Sequence, residues 1–402
     1  MSPSSTTTPE GPEHQTTTTA DDDAPKTTKA WIYTQAGLPR KTLTLTTNLP
    51  YPVFPPVLPS NPEEEWLLVR VSYAALNPGE VIVMNLLPTF LRSTASAQKV
   101  PGYDLVGTVL DVWSPPSTSP ESVRLFKKDD LVVAFLILSH LLAHSHVTGG
   151  ALQEVVAIPA KYAVRVPDTK SPRDAAGLLL TGCTAAQMAT ESSIQFGDRV
   201  LVYGASGGVG SMAVQLARLA VGSYGTVVGV CSTRNVELVK ELGADEVIDY
   251  TLFSGAVEDE LVRRFGDDRK FDAVIDAFGS QRTYKRCAGF LREEGVYSAA
   301  GVHATGYGYG AVLGAGLVML ANAVWFRSGW LWGTGRQWKA VSMMDPGREL
   351  MERVVRLFGE GKLKVVADSE WEFEKVLEGY DILMSGRARG KVVVRVDSDG
   401  GE

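Results

Sequence analysis

The 402-residue sequence predicts an α/β protein made of a barrel-like β unit and a doubly wound parallel sheet. Three observations carry this expectation. Between Trp66 and Val166, short β-rich runs are punctuated by Gly, Pro and Asp. After Val166, apolar strand patterns alternate with amphipathic helices, the signature of a parallel sheet. Residues 202–218, VYGASGGVGSMAVQLAR, set a glycine-dense turn between a strand and a helix.

In chain order, residues 1–30 come first. They are Thr-rich and acidic and cannot bury enough apolar surface to offset ordering, so a disordered tail is expected. The tail has no apolar core of a secretory signal. Its DDD run and lack of arginine do not suit a mitochondrial presequence, which leaves a cytoplasmic location as the default. WLLVRVSYAAL (66–76), VPGYDLVGTVLDVW (100–113), DDLVVAFLI (129–137) and GGALQEVVAIPAKYAVRVP (149–167) read as strands of the β unit, with 114–122 a loop on composition. RVLVYG, the helix from Gly208, GTVVGV, NVELVKELG, EVIDY, DELVRRFG, KFDAVIDAFG and GVYSAAG then follow as alternating strands and helices. Two helices (348–361 and 372–386) and a last strand, GKVVVRV, are expected to return to the first unit. The boundaries follow as residues 31–166 with about 335–402 for the β unit, and 167–334 for the parallel sheet.

The net charge of −7 excludes a basic stripe for nucleic acid. Cys183, Cys231 and Cys287 lie far apart and give no disulfide framework. GAVLGAGLVMLANAVWFRSGWLWG (310–333) is apolar for about the minimum length of a membrane-spanning helix. A buried lid, a subunit interface in a homodimer, and a peripheral contact with a membrane or lipid droplet through Trp325, Trp330 and Trp332 stay open for it. Spanning is disfavoured because soluble-domain patterns continue after it.

The turn Ala205-Ser206-Gly207-Gly208-Val209-Gly210 departs from G-x-G-x-x-G only at its first position. Its glycines let the backbone approach a pyrophosphate and let helix and strand pack closely, while the helix N-terminus offers unpaired N–H groups. The next strand ends in Cys231-Ser232-Thr233-Arg234, with no carboxylate for a ribose 2′-hydroxyl. Hydroxyls and a guanidinium there suit a 2′-phosphate, so NADPH is the expected cofactor.

PGYDLVGTV (101–109), ASGGVG (205–210), VCSTRNVELVKELGADEVIDY (230–250) and MSGRARGKVVV (384–394) resemble the medium-chain dehydrogenase/reductase superfamily, in its quinone oxidoreductase and enoyl reductase branch. The resemblance implies a GroES-like β-rich catalytic domain, a Rossmann domain, and an active site between them. Zinc-dependent members keep Cys and His ligands in stretches that correspond here to Asn77-Pro78-Gly79-Glu80 and Gly102-Tyr103-Asp104. Neither holds a thiolate or imidazole, and the four clustered cysteines of a structural zinc are absent. No metal is therefore expected. His140, His144 and His146 are the one histidine cluster, read as a solvated or cleft-lining loop.

The resemblance also suggests site residues. Asn77 matches the family's Asn-Pro turn and is the candidate to orient nicotinamide or substrate, with a plain turn role as the other reading. Tyr103, in the place of a zinc-ligand His, lines the pocket or the core. Thr181 and Thr184 enter the cleft beside the cofactor, Tyr250 lies near the adenosine ribose, and Phe278, Gly279 and Gly301 end strands at the nicotinamide half. Lys391 reaches the cleft or lies on the surface. Cys183 reads as a packed side chain rather than a nucleophile. VIVMNLLPTF (81–90) lacks the Tyr that serves some enoyl reductases as proton donor.

The expected activity is metal-free transfer of hydride from NADPH to a small apolar quinone or α,β-unsaturated carbonyl. Two alternatives stay open, a weakly active nucleotide-binding protein at a lipid surface and a trans-acting enoyl reductase of polyketide biosynthesis.

Overall fold

The structure, a computed structural model, describes residues 26–52, 54, 64–86, 98–115, 125–137, 149–325, 328, 333–341 and 345–397. The histidine cluster, Arg327, Trp330 and Trp332 lie outside them. A ribbon of β1 (Thr27–Ile32) and antiparallel β2 (Thr44–Pro50) comes first. β1 corrects the expected limit of the N-terminal tail, because residues 27–30 are already in a strand. Burial of Thr28, Ala30, Trp31 and Ile32 fixes them there, and the Trp31 indole donates to the Phe373 carbonyl at 2.7 Å.

The β unit continues with β3 (Trp66–Ala75), β4 (Asp104–Trp113), β5 (Leu131–Phe135), β6 (Val155–Pro159) and β7 (Ala163–Arg165). The parallel sheet follows with β8 (Arg199–Tyr203), β9 (Thr226–Cys231), β10 (Glu246–Asp249), β11 (Phe271–Asp276), β12 (Leu291–Ala299) and β13 (Gln337–Ala340). The chain then returns through β14 (Ala367–Glu372) and β15 (Lys391–Arg395). β15 pairs antiparallel with β3, so the last strands close the first unit's sheet, in the order β14-β15-β3-β4-β5-β7 with β6 also on β3.

The second sheet has the order β10-β9-β8-β11-β12-β13, all neighbours parallel. Strand order reverses between β8 and β11, and a crevice at the carboxyl ends of such a pair is where this architecture binds ligands. β13 moves the expected boundary at residue 334. Its Trp338 is buried 6.1 Å from the ring of Tyr284, so residues 337–340 belong to the parallel sheet.

The 310–333 segment corrects the reading of a buried lid. Helix Tyr309–Val324 leaves Leu313, Leu317, Leu320 and Val324 60–70% exposed, and only Asn322 is buried, paired with Gln281. Among the described residues no helix is long and apolar enough to cross a membrane.

The parallel sheet's far face rests on an aromatic cluster. Phe271 is fully buried, with ring centroids 4.7 Å from Phe265 and 6.4 Å from Phe290. Truncation there loses both transfer energy and packing. Phe271→Ala is expected to cost roughly 3–5 kcal/mol in urea denaturation; a loss below about 1 kcal/mol would contradict this packing.

Candidate active site

The helix Gly208–Val221 starts directly after β8, because Gly207 takes extended backbone at its N-cap and Gly204 turns the chain with φ +73°. A Cβ on Gly210 would collide with the Gly204 carbonyl, which explains the last glycine of the turn. Ala205, at the first fingerprint position, is fully buried. Its methyl faces Gly229 of β9, where a Cβ would lie 3.2 Å away. The missing side chain on Gly229 makes room for the extra methyl on the turn, so Ala205 serves packing rather than ligand contact.

A cleft of about 540 Å³ opens beside this turn at the switch point. Ser206 and Gly207 line it from the turn, Tyr250 from the end of β10, and Phe278 from the end of β11. Phe278 stacks on His303 at 4.4 Å while staying half exposed toward the cleft. Gly279 (φ +81°) and Gly301 (φ +88°) shape the neighbouring turns, and the Asp276 carboxylate accepts the Phe278, Gly279 and Ser280 amides.

Around the end of β9, Asn235 donates to Ser206 Oγ at 2.9 Å and to Ser232 Oγ at 3.3 Å, tying the glycine turn to the next loop. Thr233 Oγ1 lies 2.6 Å from Thr251 Oγ1. The Arg234 guanidinium donates to the carbonyl of Arg387. The carboxylates in reach are occupied, Asp249 by the Thr251 amide and hydroxyl, and Glu258 by Thr283 and Arg282. The segment Ser385–Lys391 thus clasps the turn from the other unit. Gly386 and Ala388 line the cleft, and the Gly390 amide donates to the Ser206 carbonyl at 2.9 Å.

Lys391 is buried, which settles its two sequence readings against the surface. Its Nζ donates to the Leu76 carbonyl at 3.0 Å and to Asn77 Oδ1 at 2.6 Å. Its stem passes Gly177 (φ +89°), where a Cβ would lie 2.7 Å from Lys391 Cε, and Gly208, where a Cβ would lie 3.2 Å from Lys391 Cδ. Asn77 spends both amide hydrogens inside the protein, on the Ala75 carbonyl at 2.8 Å and Glu80 Oε1 at 3.0 Å. What it can still offer a ligand is a lone pair on Oδ1. Glu80 Oε1 also accepts the Tyr103 amide at 3.1 Å, and Oε2 accepts the Tyr380 hydroxyl at 2.9 Å.

Electrostatics follow from burial. Desolvation pushes the Glu80 carboxyl up, against the pull of its Asn77, Tyr380 and Lys391 neighbours. Asp104, fully buried with Oδ2 unpartnered, is pushed up to about 7 by desolvation, opposed by Lys391. Lys391 itself is pushed down by burial, opposed by Asp104 and then Glu80. Burial also drives the Tyr103 phenol far up, so it stays neutral.

These residues do not fit a tetrahedral zinc site. The two stretches that carry ligands in zinc enzymes meet here, yet they supply an amide, two carboxyls and a phenol around an ammonium. Among the described residues no group of three His, Cys, Asp or Glu side chains could hold a metal. All three cysteines are buried, and burial pushes the thiols up, those of Cys231 and Cys287 to about 12. None is poised as a thiolate.

Ser206, Gly207, Tyr250 and Phe278 meet at the cleft as the sequence places them. Gly208, Val209 and Gly210 start its helix, and Ser232, Thr233 and Arg234 flank it. Thr181 and Thr184 are buried and turn their hydroxyls to the Gly177 and Leu180 carbonyls of their own helix, at 2.7 Å each. Sequence reasoning missed Glu80, Asp104, Asn235 and Tyr380 as members of the network. Glu80 carried a signal, an acid three residues after Asn77 in the same turn. Tyr380 carried none, standing 300 residues away.

The alcohol dehydrogenase GroES-like domain family matches residues 63–168, and the zinc-binding dehydrogenase family matches residues 242–394. A trans-enoyl reductase of Penicillium oxalicum is 32% identical over 93% of this chain and 99% of its own length. A chloroplast envelope quinone oxidoreductase homolog of Arabidopsis thaliana is 30% identical over 83% of this chain and 90% of its own. The quinone oxidoreductase structure from Coxiella burnetii superposes with a TM-score of 0.68 at 24% identity, covering 92% of this chain and all of that one.

The raised Asp104 carboxyl gives a testable slope. Folded Asp104 holds a proton until about pH 7, whereas unfolded aspartate releases it near pH 4, so its contribution is full below about 4 and lost as pH rises through about 7. Urea denaturation of Asp104→Asn is expected to show a variant that gains on the wild type across that window, by on the order of 4 kcal/mol. Parallel stability curves would contradict the assignment.

Proposed function

Given that the chain belongs to the medium-chain dehydrogenase/reductase superfamily, we propose that it is an NADPH-dependent, metal-free reductase of α,β-unsaturated carbonyls or quinones. One observation carries the cofactor choice. Ser232, Thr233 and Arg234 directly follow Cys231, which lines the cleft at the end of β9, while the carboxylates nearby are bonded to other side chains. When bound, NADPH supplies the hydride for an acceptor carbon or quinone ring.

The chain's residues do the rest. Backbone amides in the first turn of helix Gly208–Val221 hold a pyrophosphate, while the Gly207 amide stays on the Gly204 carbonyl. Arg234 exchanges the Arg387 carbonyl for a 2′-phosphate, a stronger charge-assisted partner. Lys391, held by Asn77 Oδ1, places its Nζ donor at the junction of the two units, where negative charge develops on the acceptor oxygen. The proton that completes reduction comes from water or a nearby hydroxyl, with burial making the Tyr103 phenol a weak acid. Similarity to trans-enoyl reductases of Penicillium oxalicum and Aspergillus terreus favours an enoyl group as acceptor and a trans-acting role, the reading in which the chain serves a polyketide synthase.

Purified protein is expected to oxidise NADPH with at least one quinone, alkenal or enoyl thioester in a panel followed by cofactor absorbance. NADPH binding with no turnover across the panel would overturn the enzyme reading and leave a nucleotide-binding scaffold. Arg234→Ala is expected to raise KM for NADPH roughly tenfold or more and to leave KM for NADH unchanged. An equal effect on both would remove the 2′-phosphate assignment.

A further inference from the structure

A second cavity, of about 610 Å³, lies between the helices Leu178–Glu191, Gly208–Val221 and Gly347–Gly359. It stands apart from the cofactor cleft. Leu219 lies eleven residues beyond Gly208 on one helix, about 16 Å at the rise of an α-helix. Its floor is apolar, built by Ile194, Leu216, Leu219 and Leu357, and Leu219 is 44% exposed despite its size.

Its rim is cationic. Arg353 and Arg356 stand one helical turn apart on Gly347–Gly359, and Lys362 follows beyond the helix. Among the described residues no carboxylate lines the cavity, in a chain whose net charge is −7. Of the acids nearby, Glu352 pairs with Arg348 at 2.6 Å, and Glu360 pairs at the rim with Lys362 at 2.8 Å. Among the described residues Arg353 and Arg356 make no ion pair. The opposite wall holds Ser193, a non-glycine residue at φ +51°, where L-residues are strained.

An apolar trough edged by two guanidiniums, with Glu360 paired to Lys362 and within the field of Arg356, matches a molecule with one aliphatic chain and an anionic head. We propose that this cavity binds an amphiphilic anion, with the alkyl chain over Leu216, Leu219 and Leu357 and the carboxylate or phosphate between Arg353 and Arg356. Dispersion and burial along the chain supply affinity, and the guanidiniums select the charged head.

Calorimetric titration of the full chain, saturated with NADPH, with dodecanoate, dodecyl phosphate and dodecanol below their micellar concentrations tests this. Saturable binding of either anion with one site per chain is expected, with dodecanol at least tenfold weaker. The Arg353→Gln/Arg356→Gln double variant should lose tenfold or more in affinity while keeping its NADPH-dependent activity. Preference for dodecanoate or for dodecyl phosphate identifies a fatty acid or a phosphate ester as the head group. Equal binding of dodecanol, binding unchanged in the double variant, or no saturable binding of either anion would overturn the site. So would binding of an acidic helical peptide at this rim when both amphiphiles are silent.

Discussion

The ammonium of Lys391 is the point on which the two units depend. A buried lysine carries a large desolvation cost unless acceptors surround it, and the structure provides them from the first unit, through the Leu76 carbonyl and the Asn77 amide. Its stem needs space from the second unit, and Gly177 and Gly208 provide that. One side chain therefore fixes the distance between the catalytic sheet and the helix whose N-terminus faces the cofactor cleft. Asn77 is locked by the same bond, Glu80 by Asn77, and Tyr380 and the Tyr103 amide by Glu80. The chain that ends at β15 thereby sets the geometry of the turn that begins at Asn77.

The clasp extends the same logic toward the adenosine end. Gly390 bonds the Ser206 carbonyl, and Arg387 holds Arg234, so consecutive residues before Lys391 touch the phosphate turn and the loop after β9. A cofactor entering the cleft meets elements already registered against one another. Preorganisation of this kind lowers the ordering cost of binding.

What the sequence made legible was local. The glycine turn, the strand before it and the helix after it lie within one short stretch, 199–221, and their periodicity carried the fold and the phosphate site together. Arg234 was legible for the same reason, as the residue that stands where a carboxylate would. The junction was not, because Glu80 meets Tyr380 across 300 residues and Lys391 meets Asn77 across 314. No spacing rule reaches that far. β13 hid in a stretch too short for periodicity, and only the burial of Trp338 assigns it. Helix Tyr309–Val324 misled in the other direction, since apolar composition suggested burial while its leucine stripe faces outward.

The cationic donor at the junction is Lys391, and the residues around it do not suit a metal, so the proposed reduction by NADPH should run without one. The most direct test is NADPH oxidation by chelator-treated protein, with zinc content measured on the same sample and the acceptor that turns over fastest. The account requires an undiminished kcat in protein with far less than one metal ion per chain. A rate that falls with the metal and returns on adding one equivalent of zinc would contradict it.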